Sequence, residues 1–334
     1  VRIAAMYGLE RIVAGSDYEA KTLMSSRGNI GISGGLMLEG LIILPIANFF
    51  GGGIKGFMCM ELVVSVIGII AMWYLFHVTK GYDLPDKIQV EEAPTEHVSI
   101  MDMLKSVVVN RAALSLFISD TVRLFGYCIW FALIVYQCKY VIGDMNSMVI
   151  VLTMTNIVGV IGSYLSFWFA KLLNGRKRMA CAVCIFVVLS LLGVGIFGDT
   201  LWGFVIFSCL GCFFMSFYDS VSPMLYADAG EYWLYKTGKD TRTYLTTIAG
   251  MPLNIAMALS SFGFAAVLMI INYVPDQEMT AQAANTLTWS VGLVPAICYI
   301  IPLILLAFVH GVSDAKVQSY SIENEKKYGA APLE

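Results

Sequence analysis

The chain has 334 residues, of which 58% are hydrophobic and only 13% charged, against about half and about a quarter in soluble globular domains. That balance excludes an ordinary soluble domain. The mild net charge of -3, with no basic stripe carrying interleaved aromatics, argues against a nucleic-acid partner. A span needs about 20 apolar residues, and eight tracts meet that length: 28–50, 54–78, 112–137, 147–170, 179–197, 201–224, 244–273 and 287–310. The expected class is an all-α polytopic membrane protein in contact with a lipid bilayer.

Residues 1–27 carry Arg2, Arg11, Lys21 and Arg27 beside Asp17 and Glu19, without the charged head and short apolar core of a signal peptide. This tract is expected to be a cytoplasmic loop. The first span has Gly28, Gly31, Gly34 and Gly35 three to four apart, a spacing that predicts close approach of a neighbouring helix. Gly31-Ile-Ser33-Gly34-Gly35 also matches the G-x-S-x-G elbow of hydrolases, but that motif needs a strand-to-helix turn and a nearby histidine. His77, His97 and His310 all lie far from it in the chain. Gly51-Gly52-Gly53 predicts a tight external turn.

Residues 79–111 form a long polar connection, in which 98–111 predicts an amphipathic helix capped by Ser99 with Asp102 at the third position. Six further spans follow. Between the fourth and fifth of these lies a dense polar block, 224–243, with Asp228, Glu231, Lys236, Lys239, Asp240 and Arg242, expected to be a hinge between spans. Cys181-x-x-Cys184 and Cys209-x-x-Cys212 have zinc-ribbon spacing, but both pairs fall inside apolar tracts and are expected to be inert core cysteines. If the first tract is cytoplasmic, cytoplasmic segments hold 18 of the 21 Lys and Arg residues, the bias that orientation rules predict.

Several stretches, in this order, resemble the glycoside-pentoside-hexuronide cation symporters, the melibiose-permease-like family of the major facilitator superfamily. They are Asp17-Tyr-Glu-Ala-Lys21 with Ser25-Ser-Arg27; Leu44-Pro45 with Asn48; Tyr140-Val-Ile-Gly-Asp144; Leu173-Asn-Gly-Arg-Lys-Arg178; and Tyr226-Ala-Asp228, Glu231-Tyr232 and Lys236-Thr-Gly238-Lys239. The resemblance implies a major facilitator fold lacking helices 1–4, beginning in mid-protein, as Val1 in place of Met fits. Residues 1–78 are then the end of the N-terminal half with helices 5 and 6, 79–111 the central cytoplasmic loop, 112–310 the six-helix C-terminal half, and 311–334 a cytoplasmic tail. It further implies a multi-pass protein of the bacterial inner membrane with a cytoplasmic C-terminus. The function implied is sodium- or proton-coupled symport of a sugar or glycoside by alternating access, with no catalytic residue, no resident metal, and no cofactor beyond the coupling cation. Asp228, Glu231, Lys236, Gly238, Lys239 and Arg242 are its conformational gating loop, and helices 1–4 of the same protein are its implied partners. Alternatives are the same fold carrying a lipid-like or other organic solute, and a natural eight-span protein without transport activity.

A charge at mid-membrane costs about 2.5 to 3.5 kcal/mol, so each one needs a partner, a wet cavity or a function. Asp120 and Arg123 stand three apart on one helix and pair, either as structural neutralisation or as part of gating and coupling. Glu39 lies near the centre of its span and is the further candidate for proton or cation coupling. Glu61 and Asp219 are expected near helix ends, reaching the interface. Sugars are held by hydrogen bonds and aromatic faces; Tyr127, Trp130, Phe131 and Tyr136, with Asn156 and Tyr218, are the candidates, each with ordinary packing as its other reading. Asn254 follows Pro252, where a kink is expected to open a polar position; members of the resembled family usually carry lysine there.

Overall fold

The computed structural model describes residues 18–51, 53–80, 107–238, 245, 248–274 and 279–328; some side chains of the first helix, Glu39 and Asn48 among them, lie outside the described set. The helices are α1 Tyr18–Phe49, α2 Gly53–Thr79, α3 Arg111–Tyr136, α4 Ser147–Leu172, α5 Arg176–Phe197, α6 Leu201–Thr237, α7 Met251–Ile270, α8 Ala281–Ile304 and α9 Asp314–Tyr328. α3 and α8 each run on into a π-helical turn, Gln137–Ile142 and Leu305–Val309. Among the described residues, seven helical stretches are long and apolar enough to cross a membrane, from Ile54–Val78 to Ala281–Val309. The eighth expected span, 28–50, falls in α1, where many side chains are outside the described residues. Of the predicted amphipathic helix 98–111, residues 98–106, Ser99 and Asp102 among them, lie outside the described residues; Asn110 is extended and caps α3, so the helix does not run on to Arg111.

The core forms where α5, α6 and α8 meet α3, with Leu116, Ile134, Val187, Phe204, Val221, Val291 and Tyr299 buried in it. α4 packs on α6, and α1 lies across both α4 and α6; α7 rests on α3, and α2 meets α1. Backbones come close where side chains are small, as the absence of a hydrophobic drive between helices in lipid requires. At Gly292 of α8, an added Cβ would stand 2.4 Å from the Leu191 carbonyl oxygen and 2.8 Å from the Gly195 nitrogen of α5. At Gly31, Gly34 and Gly35 of α1 the expected close approach is not made among the described residues: nothing there lies within 4 Å of an added Cβ. α1 turns a polar face, with Ser26 and Asn29, toward α4 and α6.

The polar block after 224 is not a hinge in its first part. Met224–Thr237 continues α6, which ends at Gly238 with φ 72°, a left-handed cap suited to glycine. At 1.5 Å per residue α6 is about 55 Å long, well beyond the roughly 30 Å of hydrocarbon. Its last turns therefore bury polar groups in protein rather than in lipid. Pro252 occupies the first turn of α7, where its missing N–H is no loss, so the expected kink is replaced by a helix start.

Candidate functional site

α3 and α6 face each other at the middle of the bundle, and their sequences put charge there. Arg123 donates through Nε and Nη2 to Oδ1 of Asp120, both at 3.4 Å, and through Nη1 to Oδ1 of Asp219 at 2.5 Å. Its Cζ stands 4.4 Å from the centroid of the Tyr218 ring. The Ser222 hydroxyl donates to Oδ2 of Asp120 at 2.6 Å. The Arg123 and Asp120 side chains are 5% and 3% exposed, whereas that of Asp219 is 40% exposed. Asp219 is thus not at a helix end, as its position in the apolar tract 201–224 suggests. α6 runs on to Thr237, so Asp219 falls near its middle.

Tyr127 lies one helical turn beyond Arg123 on the same face, half-buried, with Trp130 and Phe131 at 5.9 and 6.5 Å between ring centroids. Trp130 is buried with its indole N–H lacking an acceptor among the described residues, and Phe131 points to the exposed side. Tyr136 belongs to another group, edge-on to Phe264 and Tyr273. Asn156 and Asn254 are not brought to the cluster. Each donates to a carbonyl four residues back in its own helix, Leu152 and Gly250, and Asn254 is exposed on α7. The Glu39 side chain lies outside the described residues.

A polar seam not singled out from the sequence joins α1 to α4 and α6. The Asn29 amide donates to the Ser163 hydroxyl at 2.8 Å, the Ser216 carbonyl at 3.1 Å and the Ser220 hydroxyl at 3.2 Å. Ser26 donates to the Ser163 carbonyl and accepts from Ser166 at 2.9 Å. The signal was present: Thr22, Ser25, Ser26 and Asn29 follow the three-to-four spacing of one helix face.

At the basic end of the bundle, Arg176 is fully buried at the start of α5. Its Nε donates to Thr22 Oγ1 of α1 at 2.9 Å and its Nη1 to Asp228 Oδ1 of α6 at 2.6 Å. Glu231, also buried, accepts from the Asn324 amide of α9 through both its carboxylate and its carbonyl, at 3.0 Å each. Asp314 opens α9 and accepts the backbone N–H of Lys177 at 2.9 Å and of Arg178 at 3.2 Å, placing a carboxylate at the positive end of α5. This seat requires Gly175, with φ 156°, since a Cβ there would meet Asp314 Oδ2 at 2.1 Å. Of the expected gating residues, Asp228, Glu231 and Lys236 are thus helical, Gly238 is the cap, and Lys239 and Arg242 lie outside the described residues. His310 is buried beside Ser115 Oγ and the Ala112 carbonyl oxygen, both at 3.2 Å from Nδ1. Burial, with Lys177 nearby, lowers its pKa to about 4.

The family described as MFS/sugar transport protein matches residues 5–310. The chain is similar to the uncharacterized symporter YjmB of Bacillus subtilis, 23% identical over 89% of this chain and 63% of that protein. It is 24% identical to a candidate sulfoquinovose importer of Escherichia coli over 84% of this chain and 59% of the other. A lactose permease of Lactobacillus delbrueckii subsp. bulgaricus is 23% identical over 81% of this chain and 43% of its own length. The chain therefore spans about three fifths of the length of the first two relatives. With a family match over most of its length and a bundle of apolar helices around a buried ionic cluster, this chain belongs to the MFS/sugar transport protein family.

Proposed function

We propose that the chain is part of a secondary active transporter that carries a sugar or glycoside by cation-coupled symport, with alternating access between two helix groups. The observation that carries this reading is the cluster of Asp120, Arg123 and Asp219 beside Tyr127 and Tyr218, charged groups and aromatic faces gathered between apolar helices. In lipid such groups are retained where they meet an ion or a polar solute. Relatives named as a lactose permease and as a candidate sulfoquinovose importer support sugar as the solute class. The seam of Asn29, Ser163, Ser216 and Ser220 is the sliding contact between the groups, made of hydrogen bonds that re-form at small cost.

On this reading the basic end of the bundle faces the cytoplasm, in the inner membrane of a bacterium. The Arg176–Asp228 and Asn324–Glu231 contacts brace that end, and Arg176, through Thr22, closes it onto α1. α2 and α7 present long apolar faces, including Leu62, Ile69, Trp73, Phe262 and Met269. Further helices of the same protein, four by the family resemblance, cover them and complete the wall of the solute cavity.

The test is counterflow of labelled lactose and of a sulfonated glucose in liposomes holding the protein at its full natural length. Exchange of at least one sugar above protein-free liposomes, lost in Arg123→Ala, is the expected result. Exchange of neither sugar, or exchange indifferent to Arg123→Ala, overturns the assignment.

A further inference from the structure

The wall that this chain gives to the solute cavity offers a carboxylate and withholds its cation. The eight apolar tracts contain two basic residues, Lys55 beside the Gly51-Gly52-Gly53 turn and Arg123. Arg123 is engaged within the protein: Nε and Nη2 donate to Asp120, Nη1 donates to Asp219, the Tyr218 ring centroid lies 4.4 Å from Cζ, and the side chain is 5% exposed. Asp120 is closed in the same way, held by Arg123 and by the Ser222 hydroxyl. The member left open is Asp219, which accepts from Arg123 at Oδ1 and has a side chain 40% exposed. Even where one of the two carboxylates holds a proton, the cluster presents no positive charge to a solute.

Asp219 also stands where a solute would meet the chain. The Asn29 amide of α1 reaches α6 at the Ser216 carbonyl and the Ser220 hydroxyl, while Arg123 of α3 reaches it at Asp219. The open carboxylate thus lies on α6 between the contact with α1 and the contact with α3. Its neighbours there are neutral hydrogen-bonding groups, Asn29 itself and the half-buried Tyr127 of α3, which stands near both Asp219 and Arg123. Arg27, two residues before Asn29, belongs to the other face of α1, with Cζ 6.0 Å from the centroid of the Tyr164 ring.

We propose that the solute is an uncharged sugar, and that Asp219 is the residue that selects it against sugars bearing a sulfonate or a carboxylate. A neutral sugar donates its hydroxyl hydrogens to the open carboxylate, and a hydrogen bond to an ionised acceptor is about twice as strong as a neutral one. An anionic sugar brings a second negative charge to the same wall, with Arg123 already paired and buried, and in a cavity between apolar helices that repulsion is little screened. Size does not enter, since a uronic acid differs from its parent hexose at one carbon. The inference rests on the sugar-transporter reading and narrows its solute class, away from the sulfonated sugar for which the Escherichia coli relative is named.

The experiment is counterflow in liposomes holding the protein at its full natural length, at about pH 7, where uronic and sulfonic acids are ionised. Labelled glucose, galactose and lactose are compared with glucuronate, galacturonate and a glucose sulfonated at its sixth carbon. At least one neutral sugar is expected to exchange, and its charged counterpart about tenfold more slowly or less. In Asp219→Asn, which keeps an oxygen for Arg123, the ratio of neutral to charged exchange narrows to within about threefold, whereas Asp219→Glu preserves it. The ratio is read within one preparation, so a lower yield of folded variant does not alter it. Asp219→Ser serves for the same comparison where Asp219→Asn does not fold. A charged sugar exchanged as fast as its neutral counterpart by the native protein, or a ratio unchanged by loss of the carboxylate, overturns the selection and leaves the transporter reading standing. Exchange of no sugar of either kind overturns that reading, and the selection with it.

Discussion

Removing Arg123 tests whether the cluster is held together by charge or by packing. Three charge-assisted hydrogen bonds end on this guanidinium, and its loss in Arg123→Met leaves the closed carboxylate of Asp120 with neutral hydroxyl donors, Ser222 and Tyr226, and no cation. Breaking one side of a buried pair costs about 3 to 5 kcal/mol, most of it the penalty of an uncompensated buried charge. Asp219, being open to its surroundings, adds less, because solvent screens it. Arg123→Met is therefore expected to lower unfolding stability by about 4 kcal/mol, roughly a thousandfold in the folded-to-unfolded ratio. Replacing the charges together, as Arg123→Met with Asp120→Asn and Asp219→Asn, removes the stranded charge and recovers stability to within about 2 kcal/mol of the native protein. Equilibrium unfolding in mixed detergent, followed by tryptophan fluorescence, measures both. Native stability in the single variant, or a triple variant no more stable than the single one, refutes the argument.

Three further outcomes follow from the geometry. Gly292→Val puts a side chain against the Leu191 carbonyl oxygen and the Gly195 nitrogen, so α8 must move off α5; a loss of about 1 to 3 kcal/mol is expected in the same assay, and none is expected for Gly34→Val, whose Cβ meets nothing. Asp314→Ala removes the carboxylate at the start of α5 and frees the first turn of α9, with a loss of about 1 kcal/mol; limited proteolysis at the C-terminus should quicken, and an unchanged cleavage rate counts against the brace. His310 has its folded pKa lowered to about 4 from the usual 6.5. The unfolded chain therefore takes up a proton between these values that the folded protein refuses, and stability is full above about pH 6.5 and falls toward pH 4, by about 3 kcal/mol in all. His310→Gln should flatten that part of the stability profile, and an unaltered slope assigns it to other groups.

The helical, membrane-spanning character of the chain was legible in composition and tract length because lipid leaves so few ways to satisfy a backbone. The i, i+3 spacing was enough to place Asp120 beside Arg123, since one helix turn sets that distance whatever else packs around it. Where the sequence misled, the reason was a boundary between elements. Apolarity stops at Met224, but α6 does not, because protein rather than lipid surrounds its last turns and Arg176 and Asn324 supply partners for Asp228 and Glu231. Asp219 was misplaced by the same error. Pro252 was taken as a kink because proline at a helix start and proline within a helix look alike until the start is known.

Local pattern by itself thus determined the elements, their lipid-facing character and the pairing within one turn, all of which depend on residues a few positions apart. Only the tertiary structure decided that Arg123 reaches Asp219 across 96 residues, that Asn29 of α1 meets Ser163 and Ser220, and that Gly292 rather than Gly31 makes a close backbone contact. Periodicity fixes which face of a helix is polar or small. Which other helix comes to that face is a matter of how the whole bundle packs, and no spacing within one segment carries it.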